Sequence, residues 1–249
     1  MSCAAHRVVV VAATARGGGG GGARASSNRP SPRSTSAWIG GKVRGAGEPR
    51  GVVLRHDGAR IVRFAERDEL DAVAALQSEA FYEPLLAPAL GMTVIDAPVR
   101  AYFEYDVRQT LERKYFPYAA QGRFAPLVID AGENDVVGVV EISVQRDFEC
   151  MRALEDVEGL AKTHEYAYLS CMAVDASARR RGLATALIAG GEVIAREWGF
   201  NLLTLHVFAE NVDALRVYER AGYTVLDRPF RTPLDVAKNR RKLYMAKRL

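Results

Sequence analysis

The chain runs to 249 residues, 49% of them hydrophobic, with 34 basic side chains, 30 acidic side chains and three cysteines. That length and apolar content suffice for one or two domains with a sizeable buried core, and three cysteines make neither a disulfide framework nor a metal cluster. Eight of the basic residues but only one acid, Glu48, fall in residues 1–50, so 51–249 carries a balance of −3 and shows no basic stripe suited to nucleic acid.

Residues 1–50 are rich in Arg, Ser and small residues, include a glycine run from Gly17 to Gly22, and contain nothing that could form a packed core. The apolar run from Val8 to Ala13 is far too short to cross a bilayer, and no membrane span is expected. An Arg-rich, acid-poor leader of this kind predicts an organelle transit peptide. A plastid destination is favoured over a mitochondrial one because no long amphipathic Arg helix is visible; the alternative is a disordered tail that stays attached. The folded domain is accordingly expected over 51–249.

Ile61 to Phe64 alternates as a short strand, and Asp68 is placed to cap a helix carrying Leu70, Val73, Ala74 and Leu76 at helical spacing. Pro84, Pro88 and Pro98 punctuate a loop, after which 98–116 reads as a second helix. Two strands follow in 124–144 around a turn at 131–135. The polar stretch 145–165 is long for a plain connection and is expected to carry substrate or partner contacts. Beyond it come a strand at 166–174, a helix at 182–200, a strand at 202–208, a short helix at 212–222 and a closing strand at 242–249. Antiparallel strands first, then strand, helix, strand, helix, strand, predict a mixed α/β (α+β) sheet in one domain. Cys171, inside the apolar run 166–174, reads as a small buried hydrophobe.

The stretch VDASARRRGLATAL, residues 174–187, sets Arg179, Arg180 and Arg181 before Gly182 where a strand gives way to a helix. The arginines could simply be solvated on a turn. The other reading is that backbone N–H groups at a helix start, flanked by guanidinium groups, await phosphate. The segment resembles the central motif of the GNAT superfamily of N-acetyltransferases: Arg or Gln, two residues, Gly, one residue, then Gly or Ala, here Arg179, Gly182 and Ala184. A second family motif follows in order, with Asn211, Ala214, Tyr218, Gly222 and Tyr223 in NVDALRVYERAGY. The resemblance covers 61–249, is strongest over 166–223, and leaves the leader unexplained. With its helical insertion at 98–116 the chain looks similar to the plastid-targeted protein acetyltransferases, which modify Nα-termini and lysines.

The resemblance implies one domain with a mixed, mostly antiparallel sheet splayed around acetyl-CoA and flanked by helices. It implies that backbone groups of Met172, Ala173 and Val174 pair with the pantetheine arm, and that Arg179, Arg180, Arg181, Gly182, Leu183, Ala184 and Thr185 wrap the phosphates. Asn211 would contact the cofactor arm, cap the short helix, or do both. Tyr218 would protonate the departing thiolate, an amine having attacked the thioester directly in a ternary complex. A lysine amine is neutral in only about one molecule in 10³ at pH 7, whereas an Nα-amine with a pKa of about 7.7–8.0 needs far less help. The helper is not fixed by the sequence: Glu141, Glu165 and His164 are all candidates for general base. His164 and His206 stand alone without metal spacing, His206 reads as a strand residue facing the cofactor channel or a neighbour, and no metal is expected. The expected partners are protein or peptide amines; a small-amine acceptor and a non-catalytic acyl-CoA sensor are the alternatives.

Overall fold

A computed structural model describes residues 54–56, 60–83, 93–115, 123–131, 135–155, 157, 164–230 and 240–249. The expected transit peptide at 1–50 lies outside these residues. In chain order the elements are β1 (Leu54–His56), β2 (Arg60–Phe64), α1 (Leu70–Phe81), α2 (Thr93–Lys114), β3 (Phe124–Asp130) and β4 (Val136–Gln145). There follow α3 (Phe148–Glu155), β5 (Tyr166–Val174), α4 (Leu183–Glu197), β6 (Leu202–Phe208), α5 (Val212–Arg220), β7 (Thr224–Phe230) and β8 (Lys242–Arg248).

The eight strands form one sheet in the order β1-β2-β3-β4-β5-β6-β8-β7. Every neighbouring pair is antiparallel except β5 and β6, as the expected mostly antiparallel sheet requires. Strand alternation sorts the side chains onto two faces. Leu127, Ile129, Val140, Ile142 and Leu169 pack with Leu183, Leu187 and Ile188 of α4 on one face. Val128 and Val139 pack with Leu70, Val73 and Leu111 of α1 and α2 on the other. Burying each such Leu, Ile or Val contributes about 1.5–3 kcal/mol. Helix α4 lies so close that a Cβ at Gly191 would stand 2.6 Å from Cδ1 of Ile142, so the packing itself demands glycine there.

Three local expectations are corrected. Asp68 does not cap α1; a 3-10 turn at Arg67–Glu69 precedes the helix, and the buried Glu69 carboxylate accepts from the Glu66 N–H at 2.7 Å while pairing with Arg63 at 2.5 Å. Glu69 wins because Arg63 offers it a charged partner inside the core edge. Pro98 does not mark a loop but sits inside α2, where its missing N–H deprives only the Val94 carbonyl, one turn from the helix start at Thr93. Strand β7, for which the sequence reading named no element, carries Pro229 and is the sheet edge, where a proline removes no central ladder bond. Helix α3 occupies part of the polar stretch 145–165.

Candidate active site

Strands β5 and β6 run side by side only from Ala167, opposite Leu203, to Leu169, opposite Leu205. Beyond that point each continues, to Val174 and Phe208, with no ladder between them. The divergence begins at an irregularity in β5. Its pairing with β4 jumps from Glu141 opposite Ser170 to Val139 opposite Ala173, so two residues on β5 face Val140 alone. Cys171, in that bulge, adopts φ 49°, a left-handed conformation that costs a non-glycine residue about 1–3 kcal/mol. The backbone of Met172 and Ala173, both buried, therefore presents to β6 an edge that β6 does not fill. Val174 is half-buried, and its carbonyl accepts from Nε of Arg179 at 3.0 Å. Arg179 thus fastens the turn to the strand end.

The chain then passes into α4 through two left-handed residues, Arg180 at φ 60° and Gly182 at φ 78°. Gly182 is the N-cap and offers no side chain, and the Ala186 N–H donates to the Gly182 carbonyl at 3.0 Å. The N–H groups of Leu183, Ala184 and Thr185 consequently precede any intrahelical acceptor. Arg180, Arg181, Gly182 and Thr185 are exposed, and among the described residues neither Arg180 nor Arg181 makes an ion pair. Free N–H groups, a helix dipole and two unpaired guanidinium groups form an anion cradle with the chemistry of a pyrophosphate site.

Helix α5 is capped by Asn211, whose Oδ1 accepts from the Ala214 N–H at 3.2 Å. Ala214 and Tyr218, four residues apart, share its buried face. Tyr218 is fully buried in the cluster containing Met172, Leu205 and Val207, edge-on to Tyr223 with ring centroids 5.9 Å apart. Its hydroxyl has no hydrogen-bond partner among the described residues, and burial pushes its pKa above that of an ordinary phenol. The group is a phenol held in apolar surroundings, in the same core cluster as Met172 of β5.

Residues 92–223 match the acetyltransferase (GNAT) family. The chain belongs to this family. It is an acetyl-CoA-dependent N-acetyltransferase, and over 191 residues it is 31% identical to GCN5-related N-acetyltransferase 10, chloroplastic, of Arabidopsis thaliana, covering 74% of this chain and 69% of that one. Two solved structures share its fold. A GNAT-family acetyltransferase of Desulfovibrio desulfuricans superposes with a TM-score of 0.51 at 18% identity, over 76% of this chain and 99% of that one. The ribosomal-protein-alanine N-acetyltransferase of Brucella melitensis does so with a TM-score of 0.50 at 21% identity, over 76% and 99%.

The three base candidates named from the acetyltransferase's sequence occupy different places. Glu141 stands opposite Ser170 at the start of the splay and is 2% exposed. Its carboxylate accepts from Nε2 of Gln77 at 2.8 Å and from Nζ of Lys114 at 2.8 Å. Burial pushes its pKa up, but the Lys114 charge and the hydrogen bonds from Lys114 and Gln77 outweigh this and hold the carboxyl below its ordinary value. A carboxylate so stabilised has little drive to take a proton. Glu165 is bound by Arg123 at 2.7 Å and Arg146 at 3.1 Å, and the hydrogen bond from Arg123, with that from Arg146, lowers its pKa despite some burial. His164 is exposed. Both precede Tyr166, at the far end of β5 from the splay, about 20 Å from Cys171 at a strand's rise per residue.

His206, by contrast, is not alone. It is the first residue of β6 past the last partner of β5, it is 7% exposed, and its Nδ1 lies 3.0 Å from the Tyr168 hydroxyl. Its ring stacks on Tyr244 at 4.7 Å. Alternation along two adjacent parallel strands was the available signal, but the register that makes Tyr168 and His206 neighbours is not written in either strand. Among the described residues no cluster of three His, Cys, Asp or Glu could hold a metal, and no helix is long and apolar enough to cross a membrane.

Proposed function

We propose that this enzyme acetylates protein and peptide amines, both Nα-termini and lysine side chains, within plastids. The observation that carries the reading is the unfilled β5 edge that leads directly into the anion cradle at Arg180 to Thr185, and the unpartnered Tyr218 hydroxyl, buried in the core cluster that holds Met172, supports it. The residues fit acetyl-CoA. The edge at Met172, Ala173 and Val174 would take the pantetheine arm as an added strand, the cradle its pyrophosphate, and Tyr218 its sulfur. Asn211, spent on capping α5, supports Tyr218 by fixing the helix that carries it.

The chemistry follows from these positions. Backbone donors at the β5 bulge stabilise the oxyanion that forms when the amine attacks the thioester carbonyl. As the carbon–sulfur bond breaks, the electron pair leaves on sulfur and Tyr218 hands over its proton. A protein acceptor is favoured over a polyamine because Glu141, the carboxylate central to that face, is neutralised by Lys114 and forms no acidic cage. Tyr102 and Tyr105 of α2 and Phe148 of α3 are large and exposed, as suits covering by a polypeptide. The plastid assignment draws on the acid-poor leader and on the chloroplastic relative.

The test is thiol release from acetyl-CoA by the full chain, with a mixed peptide pool in one reaction and spermidine or arylalkylamines in another, followed by mass spectrometry of the peptides. Acetylated Nα and lysine amines are expected. Turnover of the small amines with unmodified peptides would overturn the protein-acceptor reading.

A further inference from the structure

Leu169 and Ser170 alternate as a strand should. Leu169 packs on the face of α4, and Ser170, opposite Glu141, points to the face covered by α1 and α2. Continued alternation would send Cys171 back toward α4. Instead its side chain packs with Leu111, Val139 and Ala173 on the α1 and α2 face, while Met172 takes the other face with Leu205 and Tyr218. The left-handed φ of 49° at Cys171 is what keeps two consecutive side chains on one face. It also sets how the peptides of Met172 and Ala173, the edge that β6 leaves unfilled, are turned toward the gap.

A left-handed cysteine is unfavourable by itself and persists only where its surroundings hold it. Glu141 stands on the same face. Nε2 of Gln77 on α1 donates to one oxygen of its carboxylate and Nζ of Lys114 on α2 to the other, each at 2.8 Å. The Cys171 thiol donates to the same carboxylate, and burial, which pushes the thiol up to about 12, leaves its proton in place for that bond. An ionised carboxyl has acceptor sites for all three donors. The residue is 2% exposed, so water competes little for them. One anion thus ties α1 and α2 to the residue that makes the bulge.

We propose that Glu141 is a positioning residue that acts through the thiol of Cys171, holding the β5 bulge in the conformation that receives acetyl-CoA. Without this latch the bulge exchanges between the left-handed form and relaxed forms that turn the β5 edge differently. Acetyl-CoA binds the first form, so its apparent affinity falls with the population of that form; the saturated enzyme is held there by its ligand and turns over. A general base would leave the opposite signature, with affinity kept, kcat lost and the acid limb of the rate profile altered. The Lys114 charge serves the latch by keeping Glu141 ionised, the state in which it accepts from all three donors.

The latch rests on acetyl-CoA lying along the β5 edge, and the experiment separates the two. Full-length wild type, Glu141→Gln, Cys171→Ala, Cys171→Ser and the double variant of Glu141→Gln with Cys171→Ala are compared by calorimetry with acetyl-CoA and by thiol release with one Nα-free peptide across the neutral pH range. Glu141→Gln and Cys171→Ala are each expected to raise the acetyl-CoA Kd by roughly tenfold, the worth of one hydrogen bond to a charged group. The deficit should appear in KM for acetyl-CoA and not in kcat, with the pH profile keeping its wild-type shape. Because both substitutions remove one contact, the double variant should bind no more weakly than the weaker single one. Cys171→Ser, which keeps a donor, should bind as wild type does. Additive losses, an unchanged Kd in both single variants, or a fall in kcat with affinity kept overturns the latch. If Glu141→Gln does not fold, Cys171→Ala against Cys171→Ser decides, and equal affinity of the two overturns it. A wild type that binds acetyl-CoA no better than Gly182→Asp does would instead overturn the placement of the cofactor.

Discussion

Replacing Tyr218 with Phe should make the enzyme slower and no less stable. The ring is fully buried and would keep its place in the core and its contact with Tyr223, while the hydroxyl has no partner to lose among the described residues. A buried hydroxyl without a hydrogen bond costs about 1–3 kcal/mol relative to water, so removing it should stabilise the free enzyme by up to that amount. For a domain of this size 1 kcal/mol corresponds to a Tm change of about 2–4 °C. In the proposed mechanism the same hydroxyl protonates sulfur, and its loss should lower kcat by roughly 10²-fold. Because that interaction exists mainly in the transition state, kcat and kcat/KM should fall together, with KM for acetyl-CoA little changed where chemistry limits. Thermal unfolding of the ligand-free protein and steady-state thiol release measure the two effects independently. A Tm that falls would mean that the hydroxyl already has a partner inside the protein. An undiminished kcat, with chemistry shown to limit, would mean that water protonates the thiolate.

Three further outcomes are expected. Gly182→Asp, or Arg180→Glu with Arg181→Glu, places negative charge in the anion cradle and should abolish acetyl-CoA binding by calorimetry, leaving the unfolding transition in place; unchanged affinity would return these arginines to a plain solvated turn. Lys114→Met leaves the Glu141 carboxylate buried without its counter-charge, which should destabilise the fold by about 2–4 kcal/mol at pH 7, toward the low end because the Lys114 side chain is 38% exposed and partly screened. The wild-type Glu141 pKa is depressed, so its stabilising contribution is present above the ordinary carboxylate range and lost as pH falls through the folded value; in Lys114→Met that loss should disappear or reverse, as urea unfolding at pH 7 and pH 4 would show. Residues 1–50 fused to a fluorescent protein should deliver it to plastids while 61–249 fused alone stays outside them, and a first fusion that remains in the cytosol would remove the transit assignment.

The elements of the proposed donor half were legible because the chain writes them in one continuous run. From Met172 through Gly182 to Tyr218, strand, turn, helix, strand and helix follow one another, and each piece has a local signature: an apolar run, a glycine needed at φ 78°, a capping Asn, and alanine and tyrosine four residues apart. The polar cluster on the other face of the sheet was not legible for the opposite reason. Gln77, Lys114, Glu141, Tyr168, His206 and Tyr244 come from α1, α2, β4, β5, β6 and β8, and only sheet register brings them to one face. Glu141 drew notice as a strand carboxylate, but the lysine that neutralises it lies on a different helix. The Cys171 bulge was equally hidden, since nothing in a run of apolar residues announces a left-handed cysteine.

That bulge also explains why the gap opens where it does. An extra residue in β5 sharpens the local twist, and the bulge begins at Cys171, two residues past the last rung shared with β6 at Leu169. Without it, β5 and β6 could continue as an ordinary parallel pair and close the edge that Met172 and Ala173 now present. The strain at Cys171, at the gap, and the unsatisfied hydroxyl of Tyr218, in the core cluster that holds Met172, are both local penalties. The rest of the sheet offsets them: α4 seats on Ile142 through Gly191, and α1 and α2 clamp the strands on the other face. A rigid frame on both sides keeps the gap from collapsing, so polar groups within it remain available to a ligand and not to one another.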